Sequence, residues 1–131
     1  MRVVFDTNVL ISALIFPGGN GEQALERIVE ERDRLLLSRA IVGELLEVLA
    51  RKFTRDREEL ARVAVFVAGV AEMIEPQTHI RVLADEPDNR ILECAAAGDA
   101  ALIVTGDKRM LALARYEGTA IVSLRSYLDE Y

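Results

Sequence analysis

Two hydrophobic periods alternate along this chain. Short apolar runs, Val3-Val4-Phe5, Leu35-Leu36-Leu37 and Leu102-Ile103-Val104, are continuous rather than alternating. That is the signature of strands buried on both faces. Between them, apolar residues recur every three or four positions, as in a helix with one buried stripe. The pattern predicts strands over residues 2–6, 35–37, 101–105 and 119–123, with a short one over 73–76 ended by Pro76. It predicts helices over residues 8–16, 22–32, 39–52, 55–73, 88–97, 107–115 and 126–131. Ser38 is placed to cap the third of these helices and Thr54 the fourth. Residues 17–21 read as a turn, and residues 77–87 as the loosest segment. Strands that alternate with helices argue for a parallel sheet covered on both faces.

Length and composition narrow the class. A chain of 131 residues, about half of them apolar, has material for one domain spanning residues 1–131. The formal net charge of -6 argues against a generally basic nucleic-acid-binding surface. It leaves room for a nuclease, because carboxylates gathered at one site contribute to that charge. Cys94 is the single cysteine, so no intramolecular disulfide forms, and its neighbours Leu92 and Ala95 place the thiol in a helix core. The chain enters a strand directly, so no secretory leader is expected. The most apolar stretch, residues 63–74, is interrupted by Gly69 and Glu72 and is too short to span a bilayer. A soluble, cytoplasmic protein without a membrane partner is the expectation. The glycine-rich turn lacks the Gly-Lys-Ser/Thr ending of a phosphate loop, so nucleotide binding is not expected there.

The candidate chemistry lies in four acids. Asp6 follows three buried strand residues and precedes a helix. Open α/β sheets hold their ligands at that position, outside the carboxyl ends of the strands. Asp107 ends a second such strand, Leu102-Ile103-Val104-Thr105-Gly106. Asp88 heads the apolar column Ile91, Leu92 and Ala95, and Glu44 edges the arc of Ile41, Leu45, Val48 and Leu49. Each has a plainer reading. Asp88 and Asp107 suit helix caps, and Glu44 suits a boundary residue reaching solvent. Asp6 is the hardest to explain this way, since a buried acid is costly without a partner. Four carboxylates with no basic residue among them suggest a divalent-cation site, and oxygen ligands suit Mg²⁺ or Mn²⁺ rather than zinc. His79, the only histidine, is expected at the surface. Asp85 and Glu86 are expected to be solvated loop acids, with an accessory role at the site as the alternative; Glu93 is expected to face water, and Glu47 to pair with Arg51.

The run Phe5-Asp6-Thr7-Asn8-Val9-Leu10-Ile11-Ser12-Ala13-Leu14 resembles the opening of PIN-domain ribonucleases. Residues 38–49 with Glu44, the run Asp88-Asn89-Arg90-Ile91-Leu92-Glu93, and Thr105-Gly106-Asp107-Lys108 resemble that family's later elements, in its order. The likeness covers nearly the whole chain and looks nearest to the toxins of bacterial toxin–antitoxin pairs. Two positions depart from the family's habit: the loop before Asn89 usually carries more Asp, and Ser123-Leu124 stands where Thr-Pro is common. The resemblance implies a three-layer α/β/α fold with a five-stranded parallel sheet. It implies a Mg²⁺- or Mn²⁺-dependent endoribonuclease with Asp6, Glu44, Asp88 and Asp107 around the metal. Thr7, Asn8 and Thr105 would orient carboxylates or waters, and Lys108 and Arg109 are the nearest candidates to grip a phosphate. The implied partners are an RNA substrate and a cognate antitoxin protein, with a homodimer also open.

Other classes fit less well. A haloacid-dehalogenase-like phosphatase needs a second Asp two positions after the first, where this chain has Asn8. A phosphoacceptor receiver domain needs an acidic pair after its first strand, and none is present. A PIN-like enzyme of RNA processing, or a non-catalytic PIN-like binding module, remains as the alternative; loss of the acids would mark the module.

Overall fold

The computed structural model describes residues 1–131. The apolar runs become strands that hydrogen-bond side by side. β1 (Arg2–Phe5) pairs in parallel with β2 (Arg34–Leu37) on one side and with β4 (Leu102–Val104) on the other. β2 also pairs with β3 (Ala71–Met73), and β4 with β6 (Thr119–Val122), again in parallel. A two-residue strand, β5 (Arg115–Tyr116), closes the edge antiparallel to β6. The sheet therefore has six strands in the order β3-β2-β1-β4-β6-β5, where five parallel strands are expected from the sequence. The sixth arises because the helix over 107–115 stops early. Ala114 and Glu117 take left-handed φ values of 63° and 52°, turning the chain into a tight hairpin before β6.

Residues of β1, β2 and β4 on both pleat faces are buried, from Val3 to Phe5, Leu35 to Leu37 and Leu102 to Val104. The sheet is therefore covered on both sides, as continuous apolar strands require. The cover comes from seven helices: α1 (Thr7–Ile15), α2 (Asn20–Val29), α3 (Arg39–Lys52), α4 (Arg57–Val70), α5 (Glu86–Ala97), α6 (Lys108–Leu113) and α7 (Leu124–Glu130). None is long and apolar enough to cross a membrane. Ser38 caps α3 by accepting from the Ile41 amide. Asp56, not Thr54, caps α4, accepting from the Glu58 amide, while Thr54 supports Asp56 from outside the helix. α4 ends at Val70, so β3 starts two residues earlier than the sequence suggests. Gly21, expected in a turn, lies inside α2, where an added Cβ would stand 2.7 Å from the Ala13 nitrogen. The glycine lets α2 pack directly on α1.

β1 sits where the chain reverses its order across the sheet. Residues before α5 build outward through β2 and β3, and β4 then returns to the other side of β1. The crevice at the carboxyl ends of β1 and β4 is thus a topological switch point, the usual ligand position in such sheets. Asp6 and Asp107 come from those two ends.

Candidate active site

Asp6 continues β1 by one backbone bond, its amide donating to the Val104 carbonyl at 2.9 Å. It then starts α1, but its side chain makes no capping bond. Its Oδ2 instead accepts from the Thr105 hydroxyl at 2.6 Å. Thr105 Oγ1 in turn accepts from the Asp107 amide at 3.0 Å. A single buried hydroxyl thus joins the two strand ends and fixes the Asp6 carboxylate. Asp107 caps α6, accepting from the Arg109 and Met110 amides. Asp6 is only 6% exposed, and burial pushes its carboxyl up, against hydrogen bonds from Thr105 and Thr7; Asp107 and Asp85 push it further up.

The remaining acids reach the same place from two helices. Glu44 lies mid-α3 and half-buried; burial raises its carboxyl, followed by the charges of Asp6, Asp85 and Glu47. Asp88 is 6% exposed in the first turn of α5. Burial, then Asp107, Asp85, Asp6 and Glu44, push its carboxyl up to about 7. Its Oδ2 is buried without a hydrogen-bond partner, and so is Thr7 Oγ1. The four acids come from four elements, and the charges of Asp6, Glu44 and Asp107 all oppose the ionisation of Asp88. None of them forms an ion pair. As they stand, no three of the chain's His, Cys, Asp or Glu side chains are gathered closely enough to hold a metal ion.

Three expected features of the loop and α5 are corrected. The helix begins at Glu86 rather than Asp88, so Asp88 is not its cap. Pro87 in the first turn is the sequence signal for that earlier start. Asp85 becomes the N-cap residue, is only half exposed, and joins the carboxylate group through its charge. Glu93, expected in water, is 7% exposed and accepts from the Ile80 amide at 2.8 Å. Its i+4 spacing from Asn89 on the same helix face is the one hint the sequence offered. Asn8 is exposed, and no hydrogen bond ties its amide to the carboxylates. Lys108 and Arg109 are exposed at the start of α6. His79 is surface-exposed, as expected, with Nδ1 3.3 Å from Glu93.

A groove of about 690 Å³ runs from Glu44 between α3 and α5, past Glu47, Arg51, Pro87 and Arg90. A cavity of about 680 Å³ at the opposite strand ends, near Met1, Arg2, Asp33 and Arg34, has its charges largely paired already.

This arrangement, an open α/β sheet with carboxylates at its switch point, agrees with the comparisons to known proteins. The PIN domain family matches residues 2–109, and the chain belongs to that family. An uncharacterized protein of Methanocaldococcus jannaschii is 34% identical over 117 residues, covering 86% of this chain and 75% of that protein. Among solved structures, VapBC2 from Rickettsia felis, bound to a DNA fragment from its promoter, superposes with a TM-score of 0.70 at 15% identity, covering 94% of this chain and 98% of that one. VapC20 of Mycobacterium tuberculosis, described as a Sarcin-Ricin loop cleaving toxin, gives a TM-score of 0.61 at 14% identity, covering 88% and 97%. VapBC-1 of nontypeable Haemophilus influenzae gives 0.62 at 17% identity, covering 95% and 99%. At these identities the likeness is one of fold.

Proposed function

We propose that this PIN-domain protein is an endoribonuclease that works with Mg²⁺ or Mn²⁺ and serves as the toxin of a toxin–antitoxin pair. The observation that carries the nuclease reading is the set Asp6, Glu44, Asp88 and Asp107 at the switch point, none of them in an ion pair, with neighbouring carboxylates raising Asp6, Glu44 and Asp88. The donors are all oxygen, and the buried, unpartnered Asp88 Oδ2 is a ligand atom waiting for a positive charge. Lewis acidity toward water and toward a phosphate oxygen is what a bound Mg²⁺ or Mn²⁺ supplies. Asp6, Glu44, Asp88 and Asp107 would hold it. Thr105 keeps Asp6 Oδ2 occupied as an acceptor and so fixes how that carboxylate is presented. Asp88, raised to about 7, holds its proton in acid solution and gives it up near neutrality. Lys108 and Arg109, exposed beside Asp107, are the nearest candidates to grip an RNA backbone.

The test compares cleavage of single-stranded RNA in Mg²⁺, in Mn²⁺ and in chelator. Cleavage is expected with either metal, none in chelator, and a loss of at least about a hundredfold in Asp6→Asn, within the range for a group stabilising the transition state. Glu47→Gln, an exposed neighbour on α3, stays active. Undiminished cleavage in chelator sinks the mechanism.

The toxin role draws on the resemblance and on the solved toxin–antitoxin complexes of like fold. The restraining partner is an antitoxin that covers the acidic crevice with an Arg or Lys through a charge-assisted contact. Induced expression slows growth, and co-expression of the adjacent gene restores it. A wild-type protein that cleaves RNA in vitro but leaves growth unchanged transfers the assignment to RNA processing.

A further inference from the structure

We propose that Asn89 and Glu93 of α5 are positioning residues that hold residues 79–85 in place, so that Asp85 stands as a fifth carboxylate of the acidic site. The proposal rests on the metal-site reading above.

Residues 75–85 form neither helix nor strand, so their backbone groups lack ladder partners. Side chains of α5 supply them. Asn89, fully buried, accepts from the Val82 amide at 3.2 Å and the Leu83 amide at 2.8 Å, and donates to the Leu83 carbonyl at 2.8 Å. Most of the amide's hydrogen-bonding capacity is spent on one dipeptide. One turn along, Glu93 Oε2 accepts from the Ile80 amide and meets Arg90 Nη2 at 3.1 Å. Arg90 Nη2 also donates to the Ile80 carbonyl at 3.3 Å. The helix thus does for this segment what a neighbouring strand does elsewhere in the sheet.

The clasp fixes Ile80, Val82 and Leu83, and Asp85 follows two residues later. Asp85 is the N-cap residue of α5, yet its side chain makes no capping bond. Asp107, in the same position on α6, spends its Oδ1 on two amides. Asp85 keeps its carboxylate free, and its charge acts on Asp6, Glu44 and Asp88. The unpartnered Oδ2 of Asp88, more than nine-tenths buried, lies one residue before Asn89. Without the clasp, the buried Ile80 amide and the part-buried Val82 and Leu83 amides would lose their acceptors. The loop would then leave α5, carrying Asp85 out of the crevice.

The test uses the full chain and Mn²⁺ alone as the probe. Calorimetric titration reads metal affinity, and amide hydrogen exchange reads the loop. Asp85→Asn is expected to weaken Mn²⁺ binding about tenfold while residues 80, 82 and 83 keep their protection. Asn89→Ser loses protection at 82 and 83 and weakens Mn²⁺ by a similar factor, about tenfold. The double variant binds within about twofold of Asn89→Ser, because both changes act through one group. Glu93→Gln retains an acceptor for the Ile80 amide and stays within about threefold of wild type, while Glu93→Ala does not. Wild-type affinity in Asp85→Asn overturns the proposal, as does a loosened loop in Asn89→Ser with unchanged affinity. If Asn89→Ser fails to fold, Asp85→Asn and the Glu93 pair decide it. Failure of the wild-type chain to bind Mn²⁺ is a separate result, which overturns the metal reading and this proposal with it.

Discussion

Thr105 Oγ1 stands between two strand ends, donating to Asp6 and accepting from the Asp107 amide. Its hydroxyl is fully buried, so removing it strands a donor and a carboxylate together. Thr105→Val is expected to lower cleavage by about ten- to a hundredfold, the usual cost of losing a partner to a metal ligand, the role proposed for Asp6. Thr105→Ser, which keeps the hydroxyl, retains most of the activity. The same scale sets the pH response. Asp6, Glu44 and Asp88 have carboxyls raised in the folded state, so the folded chain holds protons that the unfolded chain has already released. Their ionisation therefore lowers stability as pH rises from about 4 to about 7, and the effect is complete above that. Asp33 acts oppositely: burial pushes it up, but bonds from the N-terminal ammonium and Tyr127 prevail and hold it low, so its contribution is lost in acid. Metal-free melts are expected to show a fall on the order of 2 kcal/mol between those limits. Asp88→Asn removes most of it, and an unchanged pH profile in that variant would remove Asp88 from the repelling group.

The helices show how one residue serves as structure and site together. α6 has only six residues, too few to stand without its cap and its packing. Asp107 supplies the cap and one of the carboxylates. The two roles separate by substitution. Asp107→Asn keeps an acceptor for the Arg109 and Met110 amides and removes the charge, whereas Asp107→Ala removes both. Asn is expected to melt close to wild type, and Ala to be less stable by about 1 kcal/mol. Both abolish cleavage. Equal stability of the two variants would mean that the capping bonds contribute nothing. α3 shows the same division along one face. Glu44 is half-buried and its carboxyl is raised by burial and by the charges of Asp6 and Asp85, while Glu47 pairs with Arg51 at 3.4 Å in solvent.

At the scale of the whole molecule, the fold forces like charges together at the switch point. A cation that binds only the folded chain raises its stability by mass action, about 2.7 kcal/mol at a hundredfold excess over Kd. Mn²⁺ is therefore expected to raise the melting temperature of the wild type. Asp6→Asn is expected to melt above the metal-free parent and to respond less to Mn²⁺. A variant less stable than the parent by more than about 1 kcal/mol would show that Asp6 is mainly structural. The acids come from residues 6, 44, 88 and 107, so this coupling exists only once β1, α3, α5 and α6 have assembled.

Much of this was legible in the chain because it depends on local pattern. Continuous runs such as Leu35-Leu36-Leu37 announce strands buried on both faces, and Ser38 beside an apolar arc announces the start of α3. The strand-end position of Asp6 and Asp107 could be read in the same way, since a buried run leading into a helix fixes where the next side chain lies. Tertiary structure decided the rest. The two-residue β5 has no period of its own and exists only because β6 offers an edge to pair with. Glu93 looked solvated because its helix alone leaves it off the apolar stripe; it is buried because residues 79–83 fold over it. Asp85 looked like a loop acid for the same reason. Its place among the carboxylates depends on contacts between α5 and a segment without regular structure. Neighbouring residues cannot encode a hydrogen bond whose partner is supplied only by the folded chain.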